Sequence, residues 1–114
     1  MPFVKFTESG RSFKPRVSVR QNGTIGINYA SLNRWKIDRF DWVLLFYDAE
    51  NKQIGIKPIS EEEDGAHKLN FGKNKKSAWI GCRKFLDYFE IGTKKTEKYQ
   101  VTWNDANSML VIQM

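Results

Sequence analysis

Two stretches of this chain run through the same order of elements, and any fold must accommodate both. Residues 24–59 read TIGINYASLNRWKIDRFDWVLLFYDAENKQIGIKPI, and residues 77–114 read SAWIGCRKFLDYFEIGTKKTEKYQVTWNDANSMLVIQM. Each is a short strand, a short helix, a strand, a turn and a strand. An internal repeat makes the repeated unit the element of architecture. Leu32 and Trp35 are three apart, as are Leu86 and Phe89, which is one apolar helical stripe. Ile37 and Ile91 each close the helix two residues further on. Taking Asp48-Ala49 and Asp105-Ala106 as equivalent turns matches Trp42, Leu44 and Phe46 with Tyr99, Val101 and Trp103 at period two. Ile54 and Ile56 then match Leu110 and Ile112, and the second turn comes out one residue shorter.

Each unit also has an earlier strand. RVSVR at 16–20 alternates, with Val17 and Val19 on one face, and Gln21-Asn22-Gly23 follows. Asn-Gly predicts a type I′ hairpin turn, which needs positive φ at both central positions. In the second unit HKLNF (67–71), GKNKK (72–76) and SAWI (77–80) take the same roles. Asn28 stands where a helix N-cap belongs. The helices are about two turns long and need the sheet to hold them. Residues 43–47 are apolar on both faces, which predicts a strand buried on both sides and two halves interlocked around a common core. SEEEDG at 60–65 reads as a solvated link between the units. In the less patterned start, FVKF reads as an added edge strand, 11–15 as a loop, and Phe3, Phe6 and Phe13 as cover for one end of a barrel.

The expectation is a single domain, 1–114, mainly β with short helices, containing repeats over about 16–59 and 67–114. Its length and its 40% hydrophobic, 28% charged composition suit one soluble globular domain that needs neither disulfide nor metal to fold. Cys82 has no cysteine partner, which fits a reducing compartment. No apolar run approaches the ~20 residues that span a bilayer. The start, MPFVKFTESG, lacks the basic and apolar regions of a secretory signal. The expected location is cytoplasmic, with no membrane partner.

Residues 22–59, NGTIGINYASLNRWKIDRFDWVLLFYDAENKQIGIKPI, resemble the AbrB/MraZ/SpoVT superfamily of swapped-hairpin barrels, and 67–114 resemble it more weakly. The resemblance implies a single-chain, pseudo-two-fold swapped-hairpin β-barrel with both copies in one polypeptide. It also implies a DNA-binding regulator, or an antitoxin. Several positions depart from the superfamily pattern. Thr24 stands where a basic residue usually follows the Gly, and Asn28 where Pro is common. Lys36 and Glu90 occupy the positions of a Gly that usually precedes the helix-closing apolar residue, and the Asp-x-x-x-Arg signature of MraZ is absent from 29–36.

The charge is unevenly spread. The chain carries +6, with a net +5 over 1–41, −4 over 42–64 and +6 over 65–100. The basic residues fall in equivalent parts of the two units: Arg20, Arg34, Lys36 and Arg39 in the first, and Lys73, Lys75, Lys76, Arg83 and Lys84 in the second. On one face of a pseudo-symmetric barrel they would bind phosphates by Coulomb attraction and counterion release. Gln21, Asn22, Asn28 and Asn74 lie in segments suited to reading base edges. The expected partner is duplex DNA, in a non-enzymatic regulator. Two readings stand beside it: a single-stranded nucleic-acid binder, and an antitoxin-like or inhibitory protein-interaction module using the acidic link. Pairing of two chains through strand edges stays open. Trp35, Trp42, Trp79 and Trp103 follow the apolar stripes, which predicts core packing rather than base stacking.

Catalysis has little to stand on. One His67 and one Cys82 make no zinc site by themselves, and a nucleophile pair would also need an orienting group. The acids at 61–64 lack alternating ligand spacing, and GTKKTEK (92–98) and FGKNKK lack the glycines of a phosphate loop. No cofactor, metal or catalytic residue is expected.

Overall fold

Alternating side chains on short strands build one continuous ladder that nearly closes on itself. The computed structural model describes residues 14–92 and 95–114. The readings of FVKF and the three N-terminal phenylalanines lie outside these residues. In chain order the elements are β1 (Arg16–Val19), β2 (Thr24–Ile27), α1 (Tyr29–Arg34), β3 (Trp42–Asp48), β4 (Gln53–Ile59), β5 (Ala66–Lys68), β6 (Asn70–Phe71), β7 (Ala78–Gly81), α2 (Arg83–Tyr88), β8 (Glu97–Asn104) and β9 (Met109–Gln113). Short 3-10 turns fall at Ile37–Arg39 and Lys73–Lys75.

The described strands form one antiparallel sheet in the order β5-β3-β4-β9-β8-β1-β2-β7-β6. Its two outermost strands, β5 and β6, are separated by Leu69 alone, so a single stretch of chain sits at both ends and nearly closes a barrel. Inside lies an aliphatic layer that includes Val17, Val19, Ile25, Ile27, Val43, Ile54, Ile56, Ile80, Leu110 and Ile112. Burying one such side chain contributes about 1.5–3 kcal/mol. Leu32 and Ile37 from α1 and its 3-10 turn, and Leu86 and Ile91 from α2, close the same core.

The strands do not pair only with their sequence neighbours. β1 pairs with β2 and with β8, Val17 opposite Tyr99. β3 pairs with β4 and with β5, Val43 opposite His67. β2 meets β7 with Gly26 opposite Trp79, and β4 meets β9 with Gly55 opposite Val111.

Matching the turns at Asp48-Ala49 and Asp105-Ala106 is out by one residue. The Asn51 N–H donates to Asp48 Oδ1 at 3.1 Å, and the Asn107 N–H donates to Asn104 Oδ1 at 3.0 Å. Lys52 and Ser108 then each turn left-handed, at φ 54° and 51°. Asp48 therefore corresponds to Asn104, and the turns are equally long. Val43, Leu45 and Tyr47 are the inward counterparts of Tyr99, Val101 and Trp103. A slip of one residue exchanges the two faces of a strand, so the Trp42, Leu44, Phe46 set faces outward instead. Phe46 is 46% exposed, and β3 is not buried on both sides.

The first hairpin also differs from expectation. Gly23 (φ +86°) is left-handed, but Asn22 is not, which excludes a type I′ turn. The Gly23 N–H donates to Arg20 O at 3.1 Å and the Arg20 N–H to Thr24 O at 2.9 Å, giving a three-residue loop. Asn22 Oδ1 accepts from the Thr24 N–H and hydroxyl, an Asx contact that holds Asn22 out of the left-handed region.

Asn28 caps α1 as expected and does more. Its Oδ1 accepts from the Ser31 N–H and hydroxyl and from the Arg16 N–H, while its Nδ2 donates to Lys14 O. One amide thus ties the helix start to β1. At the other end, Lys36 and Glu90 both adopt φ 54°, the left-handed conformation that glycine favours after a helix. In α2 the Ile91 N–H reaches back to Leu86 O at 2.9 Å, a Schellman closure. Lys36 and Glu90 thus hold, at both helix ends, the backbone conformation that glycine usually serves.

Two outcomes follow for stability. Asn28→Ala removes the cap and orphans the Arg16 N–H, lowering unfolding free energy by about 2–3 kcal/mol in urea titration. Glu90→Gly relieves the left-handed cost and raises stability by about 0.5–1 kcal/mol, seen as a higher Tm.

Candidate nucleic-acid interface

Because Val17 and Val19 point inward, Arg16, Ser18 and Arg20 point outward together from β1. Ser18 lies opposite Gly26 on β2 and Lys98 on β8. These outward positions line an open groove of about 440 Å³, completed by Asn28, Tyr29, Lys76 and Ser77. Four cations, Arg16, Arg20, Lys76 and Lys98, border it, and among the described residues no carboxylate does.

Gly26 has a specific part in this geometry. A Cβ there would collide with the Arg20 guanidinium, which lies across the bare backbone of β2. Glycine thus lets a planar cation lie flat on the sheet. Across the ladder Trp79 is 37% exposed. Its neighbours Ala78 and Ile80 point into the core, so Trp79 points outward, contrary to the expected core packing. Trp35 and Trp103 do pack against the core, stacked with centroids 6.0 Å apart.

A second open groove lies at the other end of the β2–β7 ladder, where Thr24 pairs with Gly81. Asn22, His67, Cys82, Arg83 and Lys84 border it. Arg83 Nη2 donates to Gln21 O at 3.0 Å, binding the start of α2 to the first hairpin turn.

The predicted basic residues therefore distribute unevenly. Arg20 and Lys76 share the first groove, and Arg83 and Lys84 share the second. Arg34 stands over the Trp35 ring at 5.7 Å and borders a different cleft with Arg16. Lys36, Arg39 and Lys73 are exposed on or beside the 3-10 turns. Lys75 Nζ donates to Asp38 O at 3.2 Å and sits 4.9 Å from the Phe71 ring centroid. Asn28 and Asn22, candidate base readers, spend their side-chain oxygens on the backbone. Arg16 and Lys98 were not singled out from sequence. The alternation that turns Val17 inward already turns Arg16 outward with Arg20, and Lys98 escaped because its strand starts earlier than the aromatic pattern indicates.

Nucleophilic groups are subdued. Burial pushes the Cys82 thiol up to about 11. His67 Nδ1 is buried without a hydrogen-bond partner among the described residues. Among the described residues no cluster of three His, Cys, Asp or Glu side chains could hold a metal ion, and no helix is long and apolar enough to cross a membrane. Compared with known proteins, the chain matches no family model, no curated protein and no solved structure.

Gly26→Ala meets only the flexible end of Arg20, so the guanidinium swings away and Tm moves by no more than a few degrees. Gly23→Ala forces a left-handed φ and meets Arg83 Nε at 2.6 Å, and costs more than about 1 kcal/mol. Thermal denaturation of the pair checks the contrast. The raised Cys82 thiol stabilises the folded state fully below its unfolded pKa. That contribution is lost as pH rises from about 9 to about 11, read as a falling urea midpoint that Cys82→Ser flattens.

Proposed function

We propose that this chain is a non-enzymatic DNA-binding protein, a transcriptional regulator built as a single-chain swapped-hairpin barrel. The observation that carries the binding reading is the groove bordered by Arg16, Arg20, Lys76 and Lys98, with no carboxylate lining it among the described residues. Such a groove attracts polyanions and releases their counterions on binding. Arg20, laid across Gly26, offers a planar donor set suited to phosphate oxygens. Arg16, Ser18, Gly26, Ile27 and Lys98 of the groove lie on the adjacent strands β1, β2 and β8, so their backbone spacing is fixed before a ligand arrives.

The swapped-hairpin reading rests on the pairing pattern. β1 pairs with β8 just as β5 pairs with β3, each joining one half of the chain to the other. Trp35 at the end of α1 stacks on Trp103 of β8, and Phe89 at the end of α2 packs 5.0 Å from Tyr47 of β3. Tyr47 and Trp103 are the corresponding positions of the two hairpins, so the aromatic contacts also cross between halves. The equivalent Asx turns and the left-handed Lys36 and Glu90 agree with a doubled unit.

Fluorescence anisotropy with a labelled duplex tests the function. Binding strengthens at low salt, and log affinity falls linearly with log salt. Arg20→Gln and Lys98→Gln each weaken binding and reduce that slope by about 0.9, one phosphate contact's worth. A duplex that stays unbound at low salt, or bound with no salt dependence, overturns the reading.

A further inference from the structure

A phosphate groove alone has no use for an outward tryptophan. Trp79 stands directly opposite Gly26, the residue over which Arg20 lies. The Arg20 guanidinium therefore lies on the strand next to the indole, and Trp79 remains 37% exposed. Tyr29, 39% exposed, borders the first groove, whose lining residue Gly26 is the register partner of Trp79. Cations flank the β2–β7 ladder: Lys76 lies beyond the end where Ile27 pairs with Ala78, Arg83 and Lys84 border the end where Thr24 pairs with Gly81, and Arg20 lies over Gly26 between them. The ladder is four residues long, or about 10 Å at ~3.3 Å per residue.

We infer that this face takes single-stranded nucleic acid, with one base stacked on Trp79 and the flanking phosphates held by the cations at the two ends of the ladder. The inference rests on the nucleic-acid reading of the same face and names the form of the ligand. A paired base within a duplex keeps its π-face covered by its neighbours, and an indole on a convex sheet cannot reach it. An unpaired base presents that face freely, and aromatic stacking accepts any base. The charges at either end follow a backbone, while the tryptophan between them holds the base. Asn22 and Asn28, with their oxygens already engaged, leave little to read a base sequence, which suits a ligand held by stacking.

The test uses the full chain with a labelled oligothymidylate and a duplex of equal length, at the same salt. The single strand binds tighter than the duplex and quenches tryptophan emission. Trp79→Leu removes that quenching and weakens single-strand binding roughly ten- to a hundred-fold, with little change for the duplex. Trp79→Phe keeps an aromatic face and recovers much of the affinity, which separates lost stacking from lost folding. Equal binding of both forms, with Trp79→Leu silent and Arg20→Gln weakening each, overturns the stacking inference and leaves the phosphate-binding function intact. Binding of neither form at low salt overturns both.

Discussion

Near-closure of one antiparallel ladder is the constraint from which the remaining features follow. Once β5 and β6 bring the sheet round, every strand has a definite inside and outside, and period-two alternation settles which residue goes where. Val17 and Val19 inside place Arg16, Ser18 and Arg20 outside in one column. Ala78 and Ile80 inside place Trp79 outside. The candidate interface is the exterior of strands whose interior is core, so its geometry is as rigid as the packing beneath it.

The division between aliphatic and aromatic side chains is equally regular. The deep core is isoleucine, valine and leucine, while Trp35, Tyr47, Phe71, Phe85, Tyr99 and Trp103 pack around its margin. A narrow barrel interior is filled by branched side chains of modest size, and larger rings are displaced to the places where helices meet strands. There they form the contacts between Trp35 and Trp103 and between Tyr47 and Phe89. The high aromatic content of the chain therefore reports the seams and the outer surface more than the centre.

Much of this was legible in the residues. The order of elements, the cap at Asn28, the apolar stripe of Leu32 and Leu86 and the mainly β class all follow from local pattern. The failures have separate physical causes. Asp-Ala occurs in both second-hairpin turns but at positions one apart, and the eye aligns identical letters where the backbone aligns the Asx hydrogen bond of Asp48 with that of Asn104. Because strand faces alternate, that single step reverses the inside and outside of β3. The apolar stripes predict Trp79 in the core, but the inward-facing Ala78 and Ile80 on either side turn it outward. The grouping of Arg20 with Lys76 and Lys98 is a property of three-dimensional adjacency, which no linear spacing expresses.

The pairing of β1 with β8 joins Arg16 to Gln100 across nearly the whole polypeptide. Chain emerging from a ribosome would finish β1 long before β8 exists to cover its open edge. The barrel therefore cannot assemble in the order of its synthesis. Its slow step is the late closure of distant strands, and until then the nascent first half carries uncovered apolar edges that invite mispairing with a neighbouring chain.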